Sequence, residues 1–143
     1  MKRYLSLFLL LLLFIVSLPS HAQGEPTDLY AHAAVLMDAD TGRILFEKNG
    51  TEQLPMASTT KIMTLLVTLE NADLEGTVQV SSYAASMPDV QLNIREGETY
   101  RLRDLCYSLM LESHNDSAVA IAEHVGGSVE GFASMMNQKA RDL

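Results

Sequence analysis

The sequence predicts an α+β protein with its strands and helices segregated along the chain. Two short alternating runs split by turn formers come first, and a succession of apolar patterns at helical spacing follows. An apolar fraction of 48% with 20% charged residues over 143 positions suits one globular domain and excludes a disordered chain. A lone hairpin is not a stable sheet. The last apolar pattern also runs to Leu143 with no turn or cap after it. Both features lead us to expect the N-terminal part of a larger domain.

Residues 1–22 read as an export leader: Lys2 and Arg3, the apolar run Leu5 to Val16, then Ser20-His21-Ala22, with Gln23 as the mature start. The run falls short of the roughly 20 apolar residues that span a bilayer. Cleavage would remove two of ten basic residues and none of eighteen acidic ones, leaving a chain more acidic than its net charge of −8. Nucleic acid is therefore excluded as a partner, because phosphate binding needs basic clusters. The single Cys106 cannot close an intrachain disulfide; Leu105 and Leu109 beside it predict a buried thiol rather than a nucleophile.

A hairpin is expected from Ala33 to Met37 and Arg43 to Lys48 around the turn Asp38-Ala39-Asp40-Thr41-Gly42. Asn49-Gly50 opens a loop up to Pro55. A helix from about Ser58 to Glu70, ending near Asn71, carries Ile62, Leu65, Leu66 and Leu69 at helical spacing, with Met63 and Val67 thickening the apolar side. That pattern predicts burial on most faces. Val78 to Val80 fits a short strand, and residues 81–98 show no readable period. Leu102, Leu105, Cys106, Leu109 and Met110 predict a second helix ending near Leu111. The polar break Glu112-Ser113-His114-Asn115 precedes a third helix from Asp116 to Gly126-Gly127. Ser128 caps a fourth, with Phe132, Met136, Ala140 and Leu143 on one face.

Ser58-Thr59-Thr60-Lys61 sets a hydroxyl and an amine one helical turn apart, so the amine can act on the serine proton. That role needs a neutral lysine, and the apolar residues after Lys61 make burial the means of lowering its pKa. A serine at a helix N-terminus also meets backbone N–H groups that favour a developing oxyanion. Alone, such a pair is also what a capping serine and a solvated lysine look like. Ser113-His114-Asn115 adds a second polar element between two apolar helices, where side chains can point into a cleft. Ser113, Asn115 or Asp116 could equally be a simple N-cap.

S-x-x-K with S-D-N and K-T-G is the known signature of penicillin-binding proteins and class A β-lactamases. Through Met56 to Thr64, the hairpin segment Asp40-Thr41-Gly42-Arg43-Ile44-Leu45 and Ser113-His114-Asn115-Asp116-Ser117-Ala118, the chain resembles the serine-type D-alanyl-D-alanine carboxypeptidases, the low-molecular-mass penicillin-binding proteins. The resemblance covers essentially everything after the leader. It implies a truncated β-lactamase/transpeptidase-like fold over residues 23–143, with no metal and no cofactor. It implies Ser58 as nucleophile, Lys61 as its base, Ser113 as proton relay and Asn115 as a substrate-binding residue. The implied partners are stem peptides of peptidoglycan ending in D-Ala-D-Ala, with β-lactams as acylating inhibitors. Location in the cell envelope follows, and membrane contact would need C-terminal sequence beyond these residues.

The family often has glycine where His114 stands, and His114 reads as tolerated variation. The Lys-Thr-Gly element is absent from all 143 residues. A class A β-lactamase-like hydrolase and a non-catalytic peptidoglycan-binding envelope protein remain alternatives.

Overall fold

The structure is a computed structural model that describes residues 28–143; the leader expected over residues 1–22 lies outside them. The chain divides into two compact units, one ending at Leu54 and one running from Pro55 to Leu143.

The first unit holds the hairpin. β1 (Ala34–Met37) and β2 (Ile44–Lys48) pair antiparallel, Ala34 opposite Lys48 and Leu36 opposite Phe46, with an irregularity at Leu36/Met37. Asp38 builds the turn. Its carboxylate accepts from the Thr41 N–H at 2.8 Å, and its carbonyl accepts from the Gly42 N–H at 2.9 Å. The Thr41 hydroxyl and N–H together hold the Asp38 carboxyl below its ordinary pKa. Lys48 Nζ ties the strand end to the carbonyls of Leu29 and Ala31, both at 2.7 Å.

The second unit is mostly helical. A 3₁₀ turn (Ala57–Thr59) runs directly into α1 (Thr60–Asn71). β3 (Thr77–Gln79) pairs antiparallel with β4 (Thr99–Arg101), Val78 opposite Tyr100, with the one-turn α2 (Ser82–Ala85) between them. Next come α3 (Leu102–Leu111), α4 (Asn115–Gly126) and α5 (Val129–Asp142). α4 is the hub, packing on α1, α2, α3, α5 and β3. Its Ala120 and Ile121 sit in a core with Val78, Val80, Ile94, Leu102, Leu105, Cys106 and Leu109. A second, smaller cluster joins Val67 of α1, Ala122 of α4 and Phe132 of α5.

The α4–α5 corner is tight because two glycines make it so. A Cβ at Gly126 would run into the backbone of Phe132, and Gly127 closes α4 in the left-handed region at φ +72°. Ser128 then caps α5, its hydroxyl accepting the Gly131 N–H at 3.0 Å, as the sequence predicts.

Several expectations are corrected. α1 is not buried on most faces. Its buried positions are Lys61, Thr64, Val67 and Thr68, while Ile62 and Leu69 stand exposed. Inside this unit α1 meets α3, α4 and α5, and Thr64 and Thr68 fit among them because the Thr68 hydroxyl bonds the Thr64 carbonyl at 2.8 Å. On α3 the stripe ends at Leu109, Met110 being 41% exposed. The α5 face is covered only around Phe132 and Met136, whereas Ala140 and Leu143 are exposed. The strand expected at Val78 to Val80 begins one residue earlier, and Val80 extends the ladder beyond it through bonds with Glu98 and Gly97.

Candidate active site

The Ser58–Lys61 spacing spans a junction between two helix types. Ala57 opens the 3₁₀ turn at φ +48°, a region that alanine rarely visits, and Ser58 lies exposed in that turn rather than inside an α-helix. Lys61 is in the first turn of α1 and only 7% exposed. Taking the ammonium out of water pushes the Lys61 pKa below its ordinary value of 10.5.

The Lys61 amine reaches across to the start of α4. It donates to Ser113 Oγ at 2.9 Å, to Asn115 Oδ1 at 2.8 Å and to the Ser113 carbonyl. Ser113 makes this possible by adopting φ +62°, which turns its carbonyl and its hydroxyl toward the same amine. The structure thus brings Lys61, Ser113 and Asn115 together from positions 52 and 54 residues apart. It does not join Ser58 to Lys61: among the described residues, no hydrogen bond links the Ser58 hydroxyl to the amine. The amine is instead engaged by three other acceptors on the Ser113–Asn115 segment.

These contacts set what the amine can do. A neutral amine carries two N–H groups and one lone pair. The Ser113 carbonyl and Asn115 Oδ1, with the amide in this orientation, can only accept, so they take the two N–H groups. The lone pair is left for a hydroxyl proton.

The rest of the turn is also bonded. His114 Nδ1 is 2.7 Å from Ser108 Oγ of α3, which is 2.8 Å from Ser117 Oγ of α4. Asn115 Nδ2 donates to the carbonyls of Pro88 at 3.2 Å and Asp89 at 2.8 Å, and the Asn115 N–H donates to Val90 at 2.8 Å. Asp116 is buried, and its carboxylate accepts three backbone N–H groups. Sequence reasoning offered Asp116 only as a cap and did not single out Ser108; an acid in a first helical turn is the signal for the former, and nothing local flags the latter. Cys106 is buried and its thiol pKa is raised by that burial, as a core thiol requires.

A cavity of about 640 Å³ is lined by Gln79, Ser81, Glu123, His124, Ser128 and Glu130 among others, and holds none of the site residues. Among the described residues no group of three or more His, Cys, Asp or Glu is arranged to hold a metal ion, and no helix is long and apolar enough to cross a membrane.

Known proteins are similar to this chain in sequence and fold. The profile of the D-alanyl-D-alanine carboxypeptidase family matches residues 20–143. D-alanyl-D-alanine carboxypeptidase DacF of Bacillus subtilis is 38% identical over 154 aligned positions, covering 100% of this chain and 40% of its own length. The Mycobacterium tuberculosis D-alanyl-D-alanine carboxypeptidase structure superposes with a TM-score of 0.79 at 30% identity, covering 87% of this chain and 46% of that one. Penicillin binding protein 6B of Escherichia coli gives 0.71 at 30% identity, covering 88% and 42%. The chain therefore spans less than half the length of these relatives. With the hairpin, the helices around α4 and the family profile in agreement, the chain belongs to the D-alanyl-D-alanine carboxypeptidase family and has the fold of the penicillin-binding proteins.

Proposed function

We propose that the protein containing this chain is a serine D-Ala-D-Ala carboxypeptidase that removes the terminal D-alanine from peptidoglycan stem peptides. The observation that carries this reading is the buried Lys61 amine, held between Ser113 and Asn115 one turn after an exposed serine in the 3₁₀ turn that leads into α1.

In the proposed reaction the Ser58 hydroxyl attacks the carbonyl carbon between the two D-alanines. The C–O bond forms as the hydroxyl proton passes to the Lys61 lone pair. Ser113, in contact with the amine at 2.9 Å, hands its proton to the departing nitrogen as the C–N bond breaks and takes one from the Lys61 ammonium, which returns to the neutral amine, and D-alanine leaves. Water then hydrolyses the ester and restores the serine. Asn115 positions the substrate amide, and β-lactams acylate the same serine.

The acidic chain and the basic, apolar, small-residue order of residues 1–22 support export to the cell envelope, with residues 23–143 as the N-terminal part of the catalytic domain. The test is labelling of the complete protein with a fluorescent penicillin, beside D-alanine release from a D-Ala-D-Ala peptide. Wild type should form a long-lived adduct and Ser58→Ala none. Equal labelling of the two would refute the reading, and rapid loss of the adduct would favour a β-lactamase-like hydrolase.

A further inference from the structure

One buried carboxylate beside the site takes no part in the chemistry above. Asp116 is 1% exposed; its Oδ1 accepts the N–H groups of Ser117 at 2.8 Å and Leu92 at 3.0 Å, and its Oδ2 accepts that of Ile94 at 3.2 Å. A capping acid serves N–H groups of its own helix. Here two of the three donors belong to a segment 22 and 24 residues earlier.

That segment, residues 88–94, has an uncommon backbone. Asp89, Val90 and Asn93 have φ of +53°, +41° and +64°. Asp and Asn tolerate the left-handed region, but a β-branched valine does not, so outside bonds must hold this shape. The bonds come from α4. Asp116 grips the loop at Leu92 and Ile94, and Asn115 grips it at Pro88, Asp89 and Val90. The Asn115 amide is thereby shared: Nδ2 faces the loop carbonyls and Oδ1 faces the Lys61 amine.

We propose that Asp116 is a positioning residue for acyl transfer: it clamps the strained 88–94 loop onto the N-terminus of α4, and the loop's carbonyls in turn orient the Asn115 amide against Lys61. Without the clamp the loop relaxes, the amide loses its Nδ2 acceptors and rotates, and the amine loses a fixed partner. The inference rests on the proposed acyl-transfer function.

The test uses the complete protein and its acylation by a fluorescent penicillin, read as saturating rate and half-saturating concentration, with a thermal melt to establish folding. Asp116→Asn keeps the shape but sets an amide N–H where either Ile94 or Leu92 needs an acceptor. We expect folded Asp116→Asn to acylate at least tenfold more slowly at saturation, with the half-saturating concentration rising as well because Asn115 also positions the substrate amide. Asp116→Asn/Val90→Gly should recover part of the loss, because glycine adopts φ +41° freely. Should Asp116→Asn fail to fold, Leu92→Pro deletes a donor from the loop side and should slow acylation likewise. A folded Asp116→Asn or Leu92→Pro that acylates at the wild-type rate, or a double variant no faster than Asp116→Asn, overturns the proposal. A wild type that takes up no penicillin instead overturns the functional reading beneath it.

Discussion

Lys61→Met separates chemistry from packing at this site. Methionine has nearly the length and shape of the lysine stem but no amine, so the buried stripe of α1 stays filled. Two acceptors lose their donor, the Ser113 carbonyl and Asn115 Oδ1, and the Ser113 hydroxyl loses its partner. A dry unsatisfied acceptor costs about 1–3 kcal/mol. Ser113 and Asn115 are only half-buried, so water can re-enter and the cost per group falls toward the lower end. The desolvation of the ammonium, which lowers its pKa, disappears with the side chain. The net stability change should therefore stay within about 2 kcal/mol. General-base assistance contributes about 10²- to 10⁴-fold, or about 3–5 kcal/mol of barrier. Acylation of the complete protein, followed by stopped-time labelling with fluorescent penicillin, should then slow by two to four orders of magnitude while the melting curve stays cooperative. A folded Lys61→Met that labels within tenfold of wild type would show that the amine is not the base.

Acylation should rise with pH as Lys61 loses its proton, with a midpoint below 10.5 because burial favours the neutral amine; a pH–rate profile flat between pH 6 and the lysine's ordinary range would contradict this. The same shift has a stability sign. Between the lowered folded pKa and 10.5 the unfolded state binds the extra proton, so the Lys61 contribution to stability rises with pH across that window and levels off above it, and the difference between the pH-dependent melts of wild type and Lys61→Met should show that slope. Ser128→Ala, which removes the cap on the Gly131 N–H, should lower stability by about 1 kcal/mol in denaturant titrations. A polypeptide made of these 143 residues alone, which contain no Lys-Thr-Gly, should release no D-alanine, and measurable turnover would contradict the need for that element.

The helices were legible wherever one face alone is covered. Leu102, Leu105 and Leu109 announce α3, and Gly127 with Ser128 marks the α4–α5 corner, because periodicity and capping are local properties. The leucines of α1 suggest burial on most faces, yet its buried stripe is Lys61, Thr64, Val67 and Thr68, and its three polar members are tolerated because each hydroxyl or amine finds a partner. Residues 81–98 stayed opaque for a different reason. Asp116 and Asn115 impose the shape of residues 88–94 from outside, and the helix Ser82–Ala85 and the strand Thr99–Arg101 are too short to show a period. At the site, spacing suggested a link between Ser58 and Lys61. The structure instead gives Lys61 to Ser113 and Asn115, a long-range pairing that the motif resemblance brought into view and no local pattern could.

The distance along the chain between Lys61 and its partners has a consequence for how competence arises. An amine and acceptors more than fifty positions apart meet only when α1 and α4 have docked. Secondary structure formed early, in a collapsed intermediate, would leave the lysine wet and charged. Antibiotic uptake should consequently appear late in refolding, together with tertiary packing, which would make a fluorescent β-lactam a reporter of the final assembly step.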